Sequence, residues 1–284
     1  MKELTLLREI IDYPKKVKEL SEEDIMNIIS DALPFLEDEP PLIRLSFSKL
    51  CFVGDTHGDL QSTINAAKIL KNTDVKIIFL GDYVDRGPNQ IENMNYLLAL
   101  KAIFPSRVIL LRGNHEDPRI NYYYGFLSET VTKFSKNLYE KYCQCFSLLP
   151  YSTLVDAHVL ALHGGLAEEL ISLKQIEDLP KKEIAPENPI ALQLLWNDPN
   201  EYISGFQPSS RGGGVREFGR DVFEKFARAN DVKMMIRAHQ YFQEGFHYYF
   251  DRKILSLFTC RYYPSTDPKI AFYEAGKVKL FSVK

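Results

Sequence analysis

The sequence lacks any apolar run that approaches the roughly 20 residues needed to cross a bilayer as a helix. Its beginning lacks the uninterrupted apolar core of a secretion signal, because Glu3, Arg8 and Glu9 fall among the first residues. Neither charge sign is in surplus, since 35 basic side chains face 38 acidic ones for a net charge of -3. Proteins that bind nucleic acids or anionic membranes carry a basic surplus. We therefore expect neither a nucleic-acid nor a membrane partner.

Cysteine is scarce, with 4 in 284 residues, and a chain of this length buries enough surface to fold without disulfides. Cys51 and Cys260 lie inside apolar runs and are predicted to be small core residues. Cys143 and Cys145 form a C-x-C pair that offers metal ligands, but their aromatic, helical surroundings favour packing in the core. Together these features predict a protein of the reducing cytoplasm.

The composition is ordinary for a globular protein, with 45% hydrophobic and 26% charged residues. Residues 1–36 have a helical pattern, in which Ser21 and Asp24 form a capping-box signal before a stripe of apolar residues. Residues 37–41 end in Pro40 and Pro41 and break this pattern. We expect residues 1–40 to pack as a helical segment on the remainder, so that residues 1–284 form a single domain.

Short apolar runs rich in valine, isoleucine and leucine end abruptly in polar residues at several places. They cover residues 50–53, 75–80, 108–111, 159–162 and 232–236. Continuous runs of this kind are typical of strands buried on both faces, and helical patterns lie between several of them. The alternation predicts an α/β fold with central mixed β-sheets flanked by helices. In such sheets ligands gather beyond the carboxyl ends of the strands, and the polar clusters fall there.

Two further strand regions are predicted near the C-terminus. One covers residues 254–258, and the other is a hairpin of residues 270–273 and 278–283 around Ala275 and Gly276. Residues 167–190 are charged and rich in proline, which indicates a connector over the surface. The glycine-rich residues 208–214 predict a flexible loop.

The polar clusters hold side chains that are hard to explain by packing alone. They are Asp55, His57, Asp82, Asn114, His115, His163 and His239. Buried carboxylates and imidazoles are costly unless they are paired or bind a metal. Mixed Asp, His and Asn ligands suit manganese, iron or zinc better than magnesium or calcium. The set exceeds the need of one ion, and two ions about 3.5–4 Å apart, bridged by a carboxylate, fit it.

Arginines beside these clusters point to an anionic ligand. Arg86 follows the second cluster and Arg211 lies in the glycine-rich loop. The planar guanidinium group offers paired donors that match the oxygens of phosphate. Arg112 and Arg237 also precede predicted ligands, but the alternation of side chains along a strand favours another direction for them.

Taken together, the clusters resemble the signature of the PPP Ser/Thr phosphatases, which have the calcineurin-like metallophosphoesterase fold, a β-sandwich. The segments that carry the resemblance are 54–58 (Gly-Asp-Thr-His-Gly), 81–87 (Gly-Asp-Tyr-Val-Asp-Arg-Gly), 112–116 (Arg-Gly-Asn-His-Glu), 163–166 (His-Gly-Gly-Leu) and 237–240 (Arg-Ala-His-Gln). They follow in the family's order. The similarity extends through residues 122–126 and 195–199 towards the C-terminus.

The resemblance implies roles for individual residues. The implied metal ligands are Asp55, His57, Asp82, Asn114, His163 and His239. Asp82 would bridge the two ions, and His115, paired with Asp85, would be the general acid. The substrate phosphate is implied to contact Arg86, Arg211 and Tyr263. The family's chemistry implies hydrolysis by hydroxide generated at two divalent ions, without a phosphoenzyme; manganese is expected, with iron and zinc as alternatives.

The match weakens at residues 258–264 (Phe-Thr-Cys-Arg-Tyr-Tyr-Pro), where the eukaryotic family usually has a Pro-Asn-Tyr-Cys run. Pro264 stands at the position of that cysteine, so toxin sensitivity and groove shape cannot be carried over from the family. The loop after Arg211 is one residue longer than in the family, which leaves Arg216 as a competing candidate for binding phosphate. The chain otherwise has the extent of a bare catalytic domain.

The resemblance implies a protein Ser/Thr phosphatase whose partners are phosphoprotein substrates and regulatory subunits. A nucleotide phosphohydrolase or phosphodiesterase of the same fold is an alternative, against which Arg86, Arg211 and the aromatic surroundings argue. A non-catalytic scaffold would show gaps in the ligand set, and the set has none. A purely structural metal site would favour cysteine ligands, which the set lacks.

Overall fold

The computed structural model describes residues 2–47, 49–71 and 74–283. Its α-helices are α1 (Lys2–Asp12), α2 (Glu22–Asp38), α3 (Leu60–Ala67), α4 (Gln90–Ile103), α5 (Pro118–Tyr124), α6 (Phe126–Lys133), α7 (Lys136–Leu148), α8 (Leu173–Glu177), α9 (Pro189–Trp196) and α10 (Arg220–Asn230). Short 3-10 helices cover Pro14–Glu19 and Lys68–Lys71. Within the described ranges, no helix is both long and apolar enough to span a bilayer.

The strands form two large sheets and a small one. They are β1 (Leu42–Leu45), β2 (Lys49–Val53), β3 (Lys76–Phe79), β4 (Val108–Leu110), β5 (Ser152–Val155), β6 (Val159–Leu162), β7 (Asp198–Pro199), β8 (Phe206–Pro208), β9 (Arg216–Phe218), β10 (Met234–Arg237), β11 (Phe246–Tyr249), β12 (Ile254–Leu257), β13 (Lys269–Glu274) and β14 (Lys277–Ser282). The first sheet has the order β1-β5-β6-β10-β12-β11, the second β14-β13-β2-β3-β4 and the small sheet β7-β9-β8. Both large sheets mix parallel and antiparallel pairs, which confirms the prediction of mixed sheets.

The two large sheets share an apolar layer. Along β2, Leu50 and Phe52 belong to this layer, whereas Cys51 and Val53 belong to the cluster formed with the helices. This alternation follows from the two-residue period of a strand. Because both faces of β2 are buried, its sequence is a continuous apolar run, as predicted.

Helices cover the outer faces of both sheets. Outside β3, α2, α4 and α7 contribute to one cluster, while α9 and α10 pack outside β6 and β10. Cys143 and Cys145 of α7 are buried in the first of these clusters, and Cys51 and Cys260 are buried too. The prediction that the cysteines are core residues is confirmed.

The N-terminal segment is helical, as predicted, but it is interrupted. Pro14 begins a 3-10 helix between α1 and α2, because proline lacks the N–H that a continuing α-helix needs. The capping box is present: the Ser21 Oγ atom accepts from the Asp24 backbone N–H at 3.2 Å, and the Asp24 carboxylate accepts from the Ser21 N–H at 2.9 Å. Buried residues of α2, including Ile28, join the same core as α4.

Some boundaries differ from the sequence prediction. Strand β10 continues to Arg237, so this side chain leaves from the strand rather than from the tip. The 167–190 connector contains the short helix α8. Strands β1 and β5 had no clear signal because an arginine interrupts the apolar residues of the first and two polar residues begin the second. The 208–214 loop joins β8 to β9 through Gly212, Gly213 and Gly214, whose φ angles of 73°, 61° and 83° favour glycine.

Candidate metal centre and active site

The polar clusters of the sequence meet at one edge of the sandwich. Asp55 and His57 follow β2, Asp82 follows β3 and Asn114 follows β4, all in the second sheet. His163 and His239 follow β6 and β10 of the first sheet. Several side chains leave from strained backbone, since His57, Asp82 and His239 have φ angles of 41°, 57° and 71°. Such angles are uncommon for residues other than glycine and cluster at functional sites.

The first group of donors contains Asp55, His57 and Asp82. The Nδ1 atom of His57 donates to the carbonyl of Val84 at 3.0 Å, so the Nε2 atom carries the lone pair. That Nε2 atom lies 3.5 Å from the Asp82 carboxylate and 3.9 Å from the Asp55 carboxylate. Burial lowers the pKa of His57 to about 3, so a proton does not fill the gap. A lone pair facing two buried carboxylates fits a cation between them.

The second group contains Asn114, His163 and His239. The Nδ1 atom of His163 donates to the carbonyl of Leu80 at 2.8 Å, so the Nε2 atom is the one that can face an ion. Burial disfavours the charged form of this imidazole, but the Asp82 carboxylate raises its pKa. This Nε2 atom lies 2.9 Å from the Asn114 amide oxygen and 3.2 Å from the Nδ1 atom of His239. Donor atoms of Asp82, His163 and His239 lie within 4.8 Å of one another, which is close enough for one ion to contact all three.

Asp82 contacts both groups through different oxygens. Its Oδ2 atom faces His57, and its Oδ1 atom lies 3.3 Å from the Nε2 atom of His163. Burial alone would raise the pKa of Asp82, but the neighbouring histidines hold it well below its ordinary value. Burial and the charge of Asp82 raise the pKa of Asp55. The donors therefore fit two divalent cations that share Asp82, and these residues would hold them.

Glu116 has a positioning role that the sequence did not reveal. Its Oε2 atom accepts from the backbone N–H groups of Asp82 at 2.8 Å and Gly113 at 2.9 Å, and its Oε1 atom accepts from Tyr83 at 2.9 Å. The carboxylate thus ties the loop after β3 to the loop after β4. The sequence signal that could have revealed this role is the position of Glu116 directly after Asn114 and His115. Burial, followed by the charge of Asp82, raises its pKa to about 7.

His115 and Asp85 are paired, as the resemblance implied. The His115 Nδ1 atom lies 2.8 Å from Asp85 Oδ2, so this nitrogen carries the proton and the Nε2 atom faces Arg86 at 3.4 Å. Asp85 is fixed in turn by the Asn121 amide at 2.9 Å and the Phe126 backbone N–H at 2.9 Å. A fully buried carboxylate with these partners holds the imidazole in one orientation.

The arginines separate into two kinds. Arg86 and Arg211 line a cavity of about 210 Å³ together with the metal-ligand candidates. Arg216 donates to Glu168 at 2.9 Å and is absent from the described lining. Arg112 and Arg237 are buried and donate to backbone carbonyls, and Arg237 also pairs with Asp198 at 2.8 Å. The expectation that these two arginines point elsewhere is confirmed.

Aromatic side chains form the remaining wall of the cavity. They are Tyr124, Trp196, Tyr241, Phe258 and Tyr263. The guanidinium of Arg86 stacks over the ring of Tyr124 at 4.6 Å and donates to the Tyr263 hydroxyl at 2.9 Å. Burial raises the pKa of Tyr263 to about 12, so the hydroxyl remains protonated. Trp196 and Tyr241 were not predicted as lining residues, because only the packing of the two sheets brings them here.

Comparison with known proteins agrees with this geometry. Residues 48–242 match the calcineurin-like phosphoesterase family. The chain is similar to the structure of a protein serine/threonine phosphatase from Saccharomyces cerevisiae with similarity to human phosphatase PP5, with 27% identity and a TM-score of 0.87 over 99% of this chain and 96% of that one. The cold-active protein-tyrosine phosphatase of a Shewanella species shares the fold, with 15% identity and a TM-score of 0.64 over 88% of this chain and 84% of that one.

The matched residues include every candidate metal ligand, from Asp55 to His239. They also span β2, β3, β4, β6 and β10, whose carboxyl ends carry those ligands. The fold expected from the sequence, a calcineurin-like metallophosphoesterase sandwich, is confirmed. The chain belongs to the calcineurin-like phosphoesterase family.

Proposed function

We propose that the protein hydrolyses phosphoserine and phosphothreonine monoesters on other proteins. The observation that carries the proposal is the meeting of three kinds of group on one cavity. Donors for two cations, the His115–Asp85 pair and the guanidinium groups of Arg86 and Arg211 all reach it. The Saccharomyces cerevisiae protein, a serine/threonine phosphatase that matches almost the whole chain, supports this choice of substrate.

Each group has a defined part in this reaction. When bound, two divalent ions, of which manganese suits the ligands, supply Lewis acidity and activation of water. Arg86 and Arg211 bind the phosphoryl oxygens, whose charge they stabilise as the ester bond breaks. Asp85 holds His115 through Nδ1, and the Nε2 atom of this imidazole serves as the general acid toward the leaving serine or threonine oxygen.

No phosphoenzyme is required by this scheme. Cysteine nucleophiles act as thiolates, and the four cysteines of the described chain are free but buried. Burial raises the pKa of Cys260 to about 12, so this nearby thiol stays protonated. A cysteine intermediate is therefore disfavoured, and the proposed scheme transfers the phosphoryl group directly to water. Free cysteines also suit the cytoplasm, which we propose as the location, with phosphoproteins and regulatory subunits as partners.

The proposal is tested by phosphate release from metal-stripped protein titrated with Mn²⁺. A phosphoserine peptide and a dinucleoside polyphosphate serve as parallel substrates. We expect Mn²⁺-dependent release from the peptide, with little from the nucleotide. Preference for the nucleotide would instead indicate a nucleotide phosphohydrolase, and absence of release from both despite bound metal would indicate a scaffold.

A further inference from the structure

Residues 259–267, which we call the strap, connect β12 to the segment before β13. The strap begins with the Thr259 N–H donating to the Asp55 carbonyl at 3.1 Å. It carries Tyr263 into the cavity wall. At its far end, the Tyr241 hydroxyl donates to the Pro264 carbonyl at 2.8 Å, and the Asp267 N–H donates to Gln243 at 2.9 Å. Tyr263 is therefore held from both sides along the strap, and one of these attachments lies near the start of the strap.

Arg261 fixes the start of the strap to Asp59. The Nη2 atom of Arg261 donates to Asp59 Oδ1 at 2.6 Å, and its Nε atom donates to Oδ2 at 2.9 Å. The backbone N–H of Arg261 donates to the same Oδ2 atom at 2.8 Å. A two-pronged guanidinium–carboxylate pair restricts orientation as well as distance. The pair therefore sets both the place and the direction of the chain that leads to Tyr263.

Asp59 is itself a rigid anchor. It is fully buried, it caps α3 by accepting from the Ser62 N–H at 3.1 Å, and it also accepts from the Ser62 hydroxyl at 2.8 Å. Its own N–H donates to the Thr56 carbonyl at 2.7 Å, inside the loop that carries Asp55 and His57. The anchor thus belongs to the same loop as the candidate ligands.

Tyr263 links the position of the strap to the position of the Arg86 guanidinium. Its ring stacks on Tyr241 with centroids 5.2 Å apart and meets the edge of Phe258 at 4.9 Å. Its hydroxyl accepts from the Nη1 atom of Arg86, and the same guanidinium lies over the Tyr124 ring. One of the groups that hold Arg86 is therefore a hydroxyl whose position depends on the strap.

We infer that the Asp59–Arg261 ion pair positions Tyr263, and through it the guanidinium of Arg86, to receive the phosphoryl group. The inference rests on the proposed function, because Arg86 is assigned there to phosphate binding. Arg261 touches no reacting atom and is a positioning residue. The side chain of Arg261 is 37% exposed but its partner Asp59 is fully buried, so Arg261→Met leaves a buried carboxylate without its cation and is expected to lower the free energy of unfolding as well. Turnover is therefore compared at a temperature at which the measured Tm shows every variant to be folded.

The first test compares Arg261→Met with Arg261→Lys in the full Mn²⁺-loaded chain. Displacement of a substrate-positioning group by a fraction of an ångström is expected to lower kcat/KM for a phosphoserine peptide by about tenfold in Arg261→Met. Arg261→Lys keeps the charge and is expected to recover part of this loss. Arg220→Met removes an exposed arginine that pairs with Asp251 outside the cavity, and as the matched control it should leave kcat/KM unchanged.

The second test is a double-mutant cycle with Tyr263→Phe, which removes only the hydroxyl. If Arg261 acts through this hydroxyl, Arg261→Met should lower kcat/KM by less than about twofold in the Tyr263→Phe background. Losses that multiply in full would overturn the inference. A fall in Tm that accounts for the whole loss would also overturn it, because the pair would then be merely structural.

A binding measurement separates this inference from the proposed function. Calorimetry with inorganic phosphate on the Mn²⁺-loaded proteins should show weaker binding to Arg261→Met than to wild type or Arg220→Met. Equal affinities would contradict the positioning role. If wild type releases no phosphate from the peptide, the proposed function fails, and the calorimetry still decides whether Arg261 controls the phosphate site.

Discussion

Asp82 is the residue on which both groups of metal donors depend. Its two carboxylate oxygens face His57 and His163 respectively, and its Oδ1 atom also accepts from the His115 backbone N–H at 2.9 Å. The same side chain therefore fixes the distance between the donor groups and the place of the general acid. Substitutions around it should separate metal binding from proton transfer.

The first prediction at this scale concerns His115. His115→Asn should retain both metals, because the imidazole is paired with Asp85 and, although it lies close to His57 and Asp82, the other candidate ligands all remain. Turnover should fall by about 10²–10⁴-fold, the usual contribution of a general acid. Phosphopeptide kinetics together with metal analysis checks this expectation. An unchanged rate would show that another group protonates the leaving oxygen.

The second prediction separates the two arginines that the sequence left in competition. Arg211 lines the cavity and is aimed by the Asp198 carboxylate, which accepts from its Nε atom at 2.8 Å. Arg211→Ala should lower kcat/KM by about 10²-fold, as expected when one donor to a developing charge is lost.

Arg216→Ala is the matched control for this experiment. Arg216 lies in the same β8–β9 region and is bound to Glu168, so its removal should change kcat/KM by less than about twofold. A larger effect of Arg216→Ala than of Arg211→Ala would reverse the assignment.

At the scale of elements, the strand ends and the helix starts have different tasks. The strand ends carry the chemistry on strained backbone, for which Asp85 and Arg86 provide further cases with φ angles of 64° and 71°. The helix starts are conventional, and the capping box of α2 is the clearest of them. The start of α3 is tied to the site through Asp59, but stability can be changed at the start of α2 without disturbing the site.

Ser21→Ala is predicted to lower the free energy of unfolding by about 1 kcal/mol, because the Asp24 N–H loses its side-chain acceptor. Phosphopeptide turnover should be unchanged. Chemical denaturation monitored by circular dichroism measures the first quantity. Ser30→Ala, an exposed change within the same helix, is the control, and an equal loss there would mean that the cap contributes nothing specific.

At the scale of the whole molecule, the candidate metal centre joins the two halves of the sandwich. Asp55, His57, Asp82 and Asn114 come from the loops of one sheet, and His163 and His239 from the other. An ion that contacts Asp82, His163 and His239 would therefore crosslink the sheets. Binding that occurs only in the folded state raises its stability by mass action.

Removal of metal should consequently lower Tm for the whole chain in one transition. Mn²⁺ at about 100 times its Kd adds about 2.7 kcal/mol to the free energy of unfolding, which corresponds to a rise in Tm of roughly 4–5 °C for a chain of this size. Calorimetry with and without chelator measures the shift.

Asp82→Asn should show a smaller shift in Tm, less bound metal and lower activity. Full metal occupancy in an inactive variant would contradict the bridging role.

Much of the architecture was readable from the sequence because it is encoded locally. The continuous apolar run of β2 predicts a strand buried on both faces, and the Ser21-Asp24 pair predicts the start of α2. The polar residues after each run were recognisable because carboxyl ends of strands are where ligands gather. Strands β1 and β5 were not predicted, since polar side chains interrupt or begin them and leave no continuous apolar run.

Only the tertiary structure could decide which distant side chains meet. No local feature of the sequence distinguishes Arg211 from Arg216. Only the tertiary structure shows that Arg211, rather than Arg216, lies in the wall of the cavity. Asp59 and Arg261 are 202 residues apart, and their contact follows from β2 and β12 placing the following loops side by side. The sequence by itself determined the strands that lead to the candidate metal ligands, the polar residues at the ends of those strands, and the family. The packing of the two sheets decided the geometry of the site, because contacts between distant segments depend on how the sheets face each other.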